Sequence, residues 1–385
     1  MIGCAKKSWL VARMSNYFSR YCALISSAEQ IESCCQARTL HELLVCIKKW
    51  WDCNQLTNDE LLSEISRLNQ TPITTPDIQL VGNWLPYRYQ PKRRLVNWLL
   101  PVGHATEPFH DETIARYRQQ LLLNQIIQPC TSLDVAQQQA KNLVDTNPAG
   151  FIFHLSRCGS TLISGSLSEL ETTCVFSESP LLTELLLDGN LTSAEQQVCL
   201  RALINVQAAA FPHRTQMIIK WNAWDIFHWE LIHEIYPQVP AIFLVRDPVE
   251  ILASHQRSAG RHMAGDRSLG NVNPIFITET RAQTLLDWRC GVLDALLGEM
   301  NRVDKQGAIL RVDYKDLDAS GINQICHHLG LPPNTERIVQ RLKFHSKSPG
   351  VVFANDILDK QSVFSIDDKT RIQQALQPLY AQFFE

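Results

Sequence analysis

Two hydrophobic patterns divide the chain. Up to about residue 70, apolar residues recur at helical spacing, as in Leu40, Leu43, Leu44, Ile47 and Trp50. This spacing predicts amphipathic helices. Thr57-Asn58-Asp59-Glu60 ahead of Leu61-Leu62 reads as a helix start with early acids. The cluster Thr71-Pro72-Ile73-Thr74-Thr75-Pro76 breaks the pattern and marks a first boundary. Residues 77–147 carry a weaker signal. Trp84-Leu85-Pro86-Tyr87-Arg88-Tyr89 and Trp98 to Leu100 are aromatic and apolar, and Glu107-Pro108-Phe109 turns into a helix expected from Asp111.

From Gly150 the pattern changes. Gly150 to Leu155, Cys174 to Phe176, Met217 to Ile219, Ala241 to Val245 and Ala308 to Val312 are short apolar runs separated by helical segments. Continuous apolar strands of this kind predict a parallel sheet covered on both faces. The fold class expected is therefore α/β, a parallel sheet flanked by helices, with a mainly helical N-terminal extension. The division expected is 1–75 helical, 76–147 a lead-in of unclear fold, and 148–385 the α/β domain. No internal repeat is present.

Composition narrows the partners. With 36 basic and 39 acidic residues the net charge is −3, so no global positive field exists to hold nucleic acid. The 12 cysteines include no CxxC pair, and they read as reduced thiols in a chain large enough to need no disulfide framework. The first residues lack the long apolar run of a secretory leader, and no window approaches a membrane span. A cytoplasmic location is the expectation.

Two constellations carry chemistry. Phe153-His154-Leu155-Ser156-Arg157-Cys158-Gly159-Ser160-Thr161 runs from a strand through a tight loop into a helix. Unpaired N–H groups and the dipole at such a helix start favour an anion. Ser160 and Thr161 add hydroxyl donors. The ATP-binding pattern G-x-x-x-x-G-K-[ST] fails here: His154 stands at its first glycine and Ser160 at its lysine. The cation comes earlier, as Arg157. In the second constellation, Arg246 ends an apolar strand, Asp247 and Pro248 start a helix, and Ser254 falls about two turns later. An arginine fork and a serine hydroxyl there suit one phosphate.

These paired segments resemble the sulfotransferase family. Its members combine P-[RK]-[SG]-G-[ST]-T with a downstream R-[DN]-P-x-x-x-x-x-S. Ser156 to Thr161 matches the first with Ser156 in place of Pro and Cys158 in place of Ser or Gly. Arg246-Asp247-Pro248 with Ser254 matches the second. Leu310 to Leu317, followed by a helix to Leu329-Gly330-Leu331, resembles the family's "Y-E-D-L … F-L-G" segment. The likeness covers about residues 148–385.

The resemblance implies a donor, 3′-phosphoadenosine 5′-phosphosulfate (PAPS), and a hydroxyl- or amine-bearing acceptor, with no metal. Ser156, Arg157, Cys158, Gly159, Ser160 and Thr161 would grip the 5′-phosphosulfate. Arg246 and Ser254 would grip the 3′-phosphate and so reject ATP. Lys347, in a polar loop, would close over the nucleotide. The base of small-molecule members is a His in K-[TA]-H, but Lys220-Trp221-Asn222 puts Asn there. Glu178, in the loop after the next strand, matches the Glu base of the tyrosylprotein branch. Lys220 keeps the family's strand-end lysine and would stabilise the leaving phosphate. His154 and His255 read as packing residues. Ser258 to Asn273 reads as an acceptor-side lid or an ordinary loop. Two other readings share the architecture: a P-loop kinase or nucleotide hydrolase, which needs the missing lysine, and a non-catalytic nucleotide-binding interaction protein.

Overall fold

Apolar spacing in the first 70 residues is realised as helices over 16–26, Ala28–Cys35, Leu40–Trp51 and Asn58–Asn69. The computed structural model describes residues 16–75, 77–264, 282, 284–303, 308–345, 348–352 and 363–385. Leu43, Leu44, Ile47 and Trp51 form the buried stripe of their helix, while Leu40 is exposed. Thr57 begins its helix with a capping box: Thr57 Oγ1 accepts from the Glu60 N–H at 3.2 Å, and Glu60 Oε2 accepts from the Thr57 N–H at 2.8 Å.

The stretch of unclear fold is a small antiparallel sheet. β1 (Leu85–Gln90) pairs with β2 (Leu95–Leu99), and β2 pairs with β3 (Cys130–Ser132). Its buried indoles are satisfied, Trp98 donating to Thr131 Oγ1 and Trp84 to the Ile25 carbonyl. One compact unit is drawn from the described residues of 1–104, 111–145 and 198–212. The last of these stretches is tied in by Arg201 with Asp145 and by Gln207 donating to the Pro86 carbonyl.

The other unit is drawn from 105–110, 146–197 and 213–385. Its centre is a five-stranded, wholly parallel sheet of β4 (Gly150–His154), β5 (Thr173–Ser177), β6 (Gln216–Lys220), β7 (Ala241–Val245) and β8 (Ile309–Asp313), in the order β5-β6-β4-β7-β8. The five predicted apolar runs are these five strands. β4, β5 and β7 are buried along their whole length, as strands covered on both faces must be. Helices that include Ser160–Ser168, Pro180–Leu186, Pro248–Arg257 and Leu285–Val303 accompany them. Because β4 is central and the chain goes first to one side and then to the other, the strand order switches at β4. Ligands of open parallel sheets sit beyond the carboxyl ends of the strands at such a switch. Among the described residues, no helix is long and apolar enough to cross a membrane.

Candidate active site

The loop after β4 has an unusual backbone. Ser156, Arg157 and Gly159 all have positive φ, at 66°, 53° and 94°. Tight turns that mix left- and right-handed residues can aim backbone N–H groups toward one side and make an anion-binding concavity. Gly159 is the N-cap of helix Ser160–Ser168 and no side chain caps it. Glycine is needed there on two grounds. Its φ is left-handed, and a Cβ would stand 2.6 Å from Leu317 Cδ1 and 2.7 Å from Tyr314 Cδ2. The Tyr314-to-Leu317 turn noted in the sequence thus forms the wall behind the loop. Ser160 and Thr161 are buried at the helix start, and their hydroxyls make no hydrogen bond among the described residues.

Two predicted loop residues are oriented by other partners. The Arg157 guanidinium donates to the Ser258 carbonyl at 2.5 Å and to Ser258 Oγ at 3.1 Å. Cys158 turns its side chain into the sheet, its thiol donating to the Leu244 carbonyl at 3.4 Å, and burial pushes that thiol up to about 12.

Glu178, Lys220 and His154 meet at the ends of three neighbouring strands. Glu178 follows β5 with φ 57°, and its N–H donates to the Lys220 carbonyl at 2.7 Å, one step beyond the Ser177–Lys220 register pair. Glu178 Oε1 lies 2.9 Å from Lys220 Nζ and 3.4 Å from His154 Nε2. Glu178 Oε2 has no partner among the described residues. Lys220 is fully buried, and its ammonium lies 5.1 Å from the centre of the Phe109 ring. Burial opposes the Glu178 charge, but Lys220 and His154 outweigh it and hold the carboxyl well below the usual carboxylate range. His154 itself is pushed down by burial, against the pull of Glu178. Reading it as packing alone therefore misses its partners: its other nitrogen, Nδ1, accepts the Ser156 N–H at 2.9 Å.

Asn222, which stands where the resemblance would place a histidine, is a cap. Its N–H donates to Asp225 Oδ2 at 2.9 Å and its amide to Thr183 Oγ1 at 2.6 Å, and Thr183 Oγ1 donates to Asp225 Oδ2 at 2.7 Å. Asp225 is fully buried, and burial pushes its carboxyl up to about 7 against these hydrogen bonds.

Arg246 directly follows β7, with Asp247 as the N-cap accepting from the Glu250 N–H and Pro248 at the first helical position, as the sequence predicts. Its guanidinium stacks 3.8 Å over Tyr314 and donates to the Arg157 carbonyl at 3.4 Å, which joins the two constellations. It is also paired with Glu250, Nε to Oε2 at 2.6 Å. Ser254 lies half-buried on the same helix, and its side chain has no partner among the described residues. Lys347 and residues 265–273 of the expected lid lie outside the described residues.

Sequence reasoning placed His262 only within the stretch Ser258 to Asn273 and gave it no role of its own. It is buried in the turn Arg261–Met263, with its ring 5.4 Å from Trp224 and 5.6 Å from His255. Burial lowers it to about 4, with His154 adding to the shift, Glu178 opposing it and Arg157 adding to it. Its signal in the sequence was one His in a polar, Gly-containing stretch, too weak to single out.

Among solved structures, the sulfotransferase STF9 from Mycobacterium avium is 13% identical over 86% of this chain and 96% of that one, with a TM-score of 0.39. A sulfotransferase domain from the curacin biosynthetic pathway is 15% identical over 60% of this chain and 98% of that one, with a TM-score of 0.38. No curated protein matches. The family model described as "Sulfotransferase family" matches residues 148–336, which hold both constellations, Glu178 and Lys220. The chain therefore carries a sulfotransferase-family domain over residues 148–336, and with it the activity class of a transferase of sulfo groups.

Proposed function

We propose that the enzyme transfers the sulfuryl group of PAPS to a hydroxyl-bearing acceptor, with Glu178 as the general base. One observation carries this reading: Glu178 has one carboxylate oxygen 2.9 Å from the Lys220 ammonium and 3.4 Å from His154 Nε2, and the other without a partner among the described residues, at strand ends adjoining the anion loop. The fit to the donor rests on the left-handed loop, the unpartnered Ser160 and Thr161 hydroxyls, and Arg246 set against the loop at the Arg157 carbonyl. Bound there, PAPS supplies an activated sulfuryl group and a stable nucleotide leaving group.

The residues then divide the work. Loop N–H groups, Ser160, Thr161 and Arg157 hold the 5′ end by electrostatic preorganisation. Arg246 and Ser254 hold the 3′-phosphate, and Lys347 joins the nucleotide site. Glu178 Oε2 takes the acceptor proton. Lys220 has two anionic claimants, Glu178 and the donor. Drawn toward the donor, its ammonium offsets charge on the departing oxygen and frees Glu178 for proton transfer.

Binding of 3′-phosphoadenosine 5′-phosphate (PAP), AMP and ATP, each with and without Mg²⁺, tests the donor assignment by calorimetry. The expected result is metal-independent preference for PAP, weakened roughly 10- to 100-fold in Arg246→Ala, the range for hydrogen bonds to charged groups. Preference for ATP with Mg²⁺ would overturn it in favour of a kinase. Binding of PAP without any release of it from PAPS would instead favour a non-catalytic interaction protein.

A further inference from the structure

His154 makes two contacts with two different parts of the site. Nδ1 accepts the Ser156 N–H at 2.9 Å, and Nε2 lies 3.4 Å from Glu178 Oε1. A ring nitrogen that accepts a hydrogen bond carries no proton, so the neutral ring has its hydrogen on Nε2. That nitrogen is the one 3.4 Å from the carboxylate, and the Trp221 backbone also lies beside the ring. The strand order explains why one side chain reaches both. β4 carries His154 and runs straight into the loop, while β6, ending in Lys220, separates β4 from β5 and Glu178. Strands are spaced by about 4.8 Å, so Glu178 leans across the end of β6 to meet both groups.

The sequence departs from the family motif at the matching point. Ser156 stands where the motif has proline. Here residue 156 has φ 66° and donates its N–H to His154. Proline holds φ near −65° and has no N–H, so it could do neither. The serine and the histidine therefore form one device.

We propose that His154 is a positioning residue with two separable functions: through Nδ1 it sets the anion loop, and through Nε2–H it clamps Oε1 of Glu178 so that Oε2 faces the acceptor. When Lys220 turns to the donor, His154 is the group that still holds the base. This rests on Glu178 being the base, as proposed above.

Two variants separate the contacts. In His154→Asn the amide stands near the place of Nδ1 and can accept the Ser156 N–H, while the side chain at 154 no longer reaches Glu178. In His154→Gln the amide extends to the place of Nε2 and the loop bond is lost. Release of PAP from PAPS gives kcat, with water as the acceptor if no hydroxyl compound is turned over. Calorimetry of PAP gives donor-site affinity. His154→Asn should lose about tenfold or more in kcat with PAP affinity within about twofold, one charge-assisted hydrogen bond being worth that much. His154→Gln should show the opposite split. Nitrogen-15 imidazole spectra of the full chain should show Nδ1 bare and Nε2 protonated at neutral pH.

Parallel loss of rate, affinity and melting temperature in both variants, or no change in either, overturns the proposal, as does a ring protonated on Nδ1. Glu178→Gln keeps the two readings apart. A fully active Glu178→Gln removes the base assignment itself. An inactive Glu178→Gln beside a fully active His154→Asn removes only the clamp.

Discussion

Lys220 and Glu178 are joined twice: the Lys220 carbonyl accepts the Glu178 N–H at 2.7 Å, and the Lys220 ammonium lies 2.9 Å from Glu178 Oε1. The backbone bond fixes the carboxylate's root and the ion pair fixes one oxygen. Because the carboxyl is held well below the usual range, it is expected to be ionised at neutral pH. Any stability or activity it supports is present above the ordinary carboxylate pKa and lost only as pH falls through the lower folded value. The kcat/KM profile should therefore show no acid limb from Glu178 between about pH 5 and 7. Lys220→Met should bring an acid limb into view and shift it upward, since burial then acts with less opposition. A profile unchanged by Lys220→Met would remove the pair from the mechanism. Glu178→Gln should lower kcat by about 10²–10⁴-fold, the usual contribution of a general base.

Arg246 is held by Glu250 four residues on. A 3′-phosphate must compete with that carboxylate for the same guanidinium. Glu250→Gln should therefore tighten PAP binding by several-fold, up to about tenfold, and leave AMP binding unchanged, a difference of about 1.4 kcal/mol or less. Calorimetry with the two nucleotides decides it. Equal effects on both would place the 3′-phosphate elsewhere.

Gly159→Ala adds a methyl where Leu317 and Tyr314 stand closer than 3 Å and where φ is 94°. Strain and overpacking together should cost about 2–4 kcal/mol and weaken PAP binding through the displaced loop. Denaturant melts and calorimetry read the two effects. A wild-type melt with normal affinity would show that the loop relaxes freely.

Asp225 lies under the Asn222 cap with its carboxyl pushed up to about 7 by burial. A raised folded pKa gives stability that is full below the unfolded value and falls as pH rises through the folded one. Asp225→Asn keeps an oxygen for Thr183 and for the Asn222 N–H while removing the charge. A tenfold difference in proton affinity between folded and unfolded chains is worth about 1.4 kcal/mol. At pH 8 the variant should therefore be more stable than the wild type by on the order of 2 kcal/mol or more, and the difference should shrink at pH 5. Melts at the two pH values check this. A variant less stable at both would mean that the ionised group is itself required.

The thiol of Cys158 is fully buried and pushed up to about 12. Thiolate reagents act on the deprotonated form, so alkylation of the native protein should spare Cys158 and leave PAP binding intact. Peptide mapping after labelling tests it. Rapid native labelling at Cys158 would show that the loop opens readily.

The strands, the loop after β4 and the start of the helix at Pro248 were legible in the sequence. Each is a local matter: continuous apolar runs demand burial on both faces, and Asp247-Pro248 is favoured wherever a helix begins. The hairpin of β1 and β2 was not legible, because its mixture of Pro, Arg and aromatic residues gives no clean alternation and its pairing depends on distant β3. Asn222 was recognised as a departure, but its function as a cap needed Thr183, brought from 39 residues away by folding. Glu178 could be named only through the resemblance to the tyrosylprotein branch, from its place in the loop after an apolar run. That Lys220 and His154 share one of its oxygens was decided by a strand order that brings β4, β5 and β6 together at their carboxyl ends. Side-chain type and local spacing belong to the sequence, whereas charge partners belong to whichever strands lie next to each other. The tertiary structure alone therefore turned a strand-end histidine into a neighbour of the candidate base.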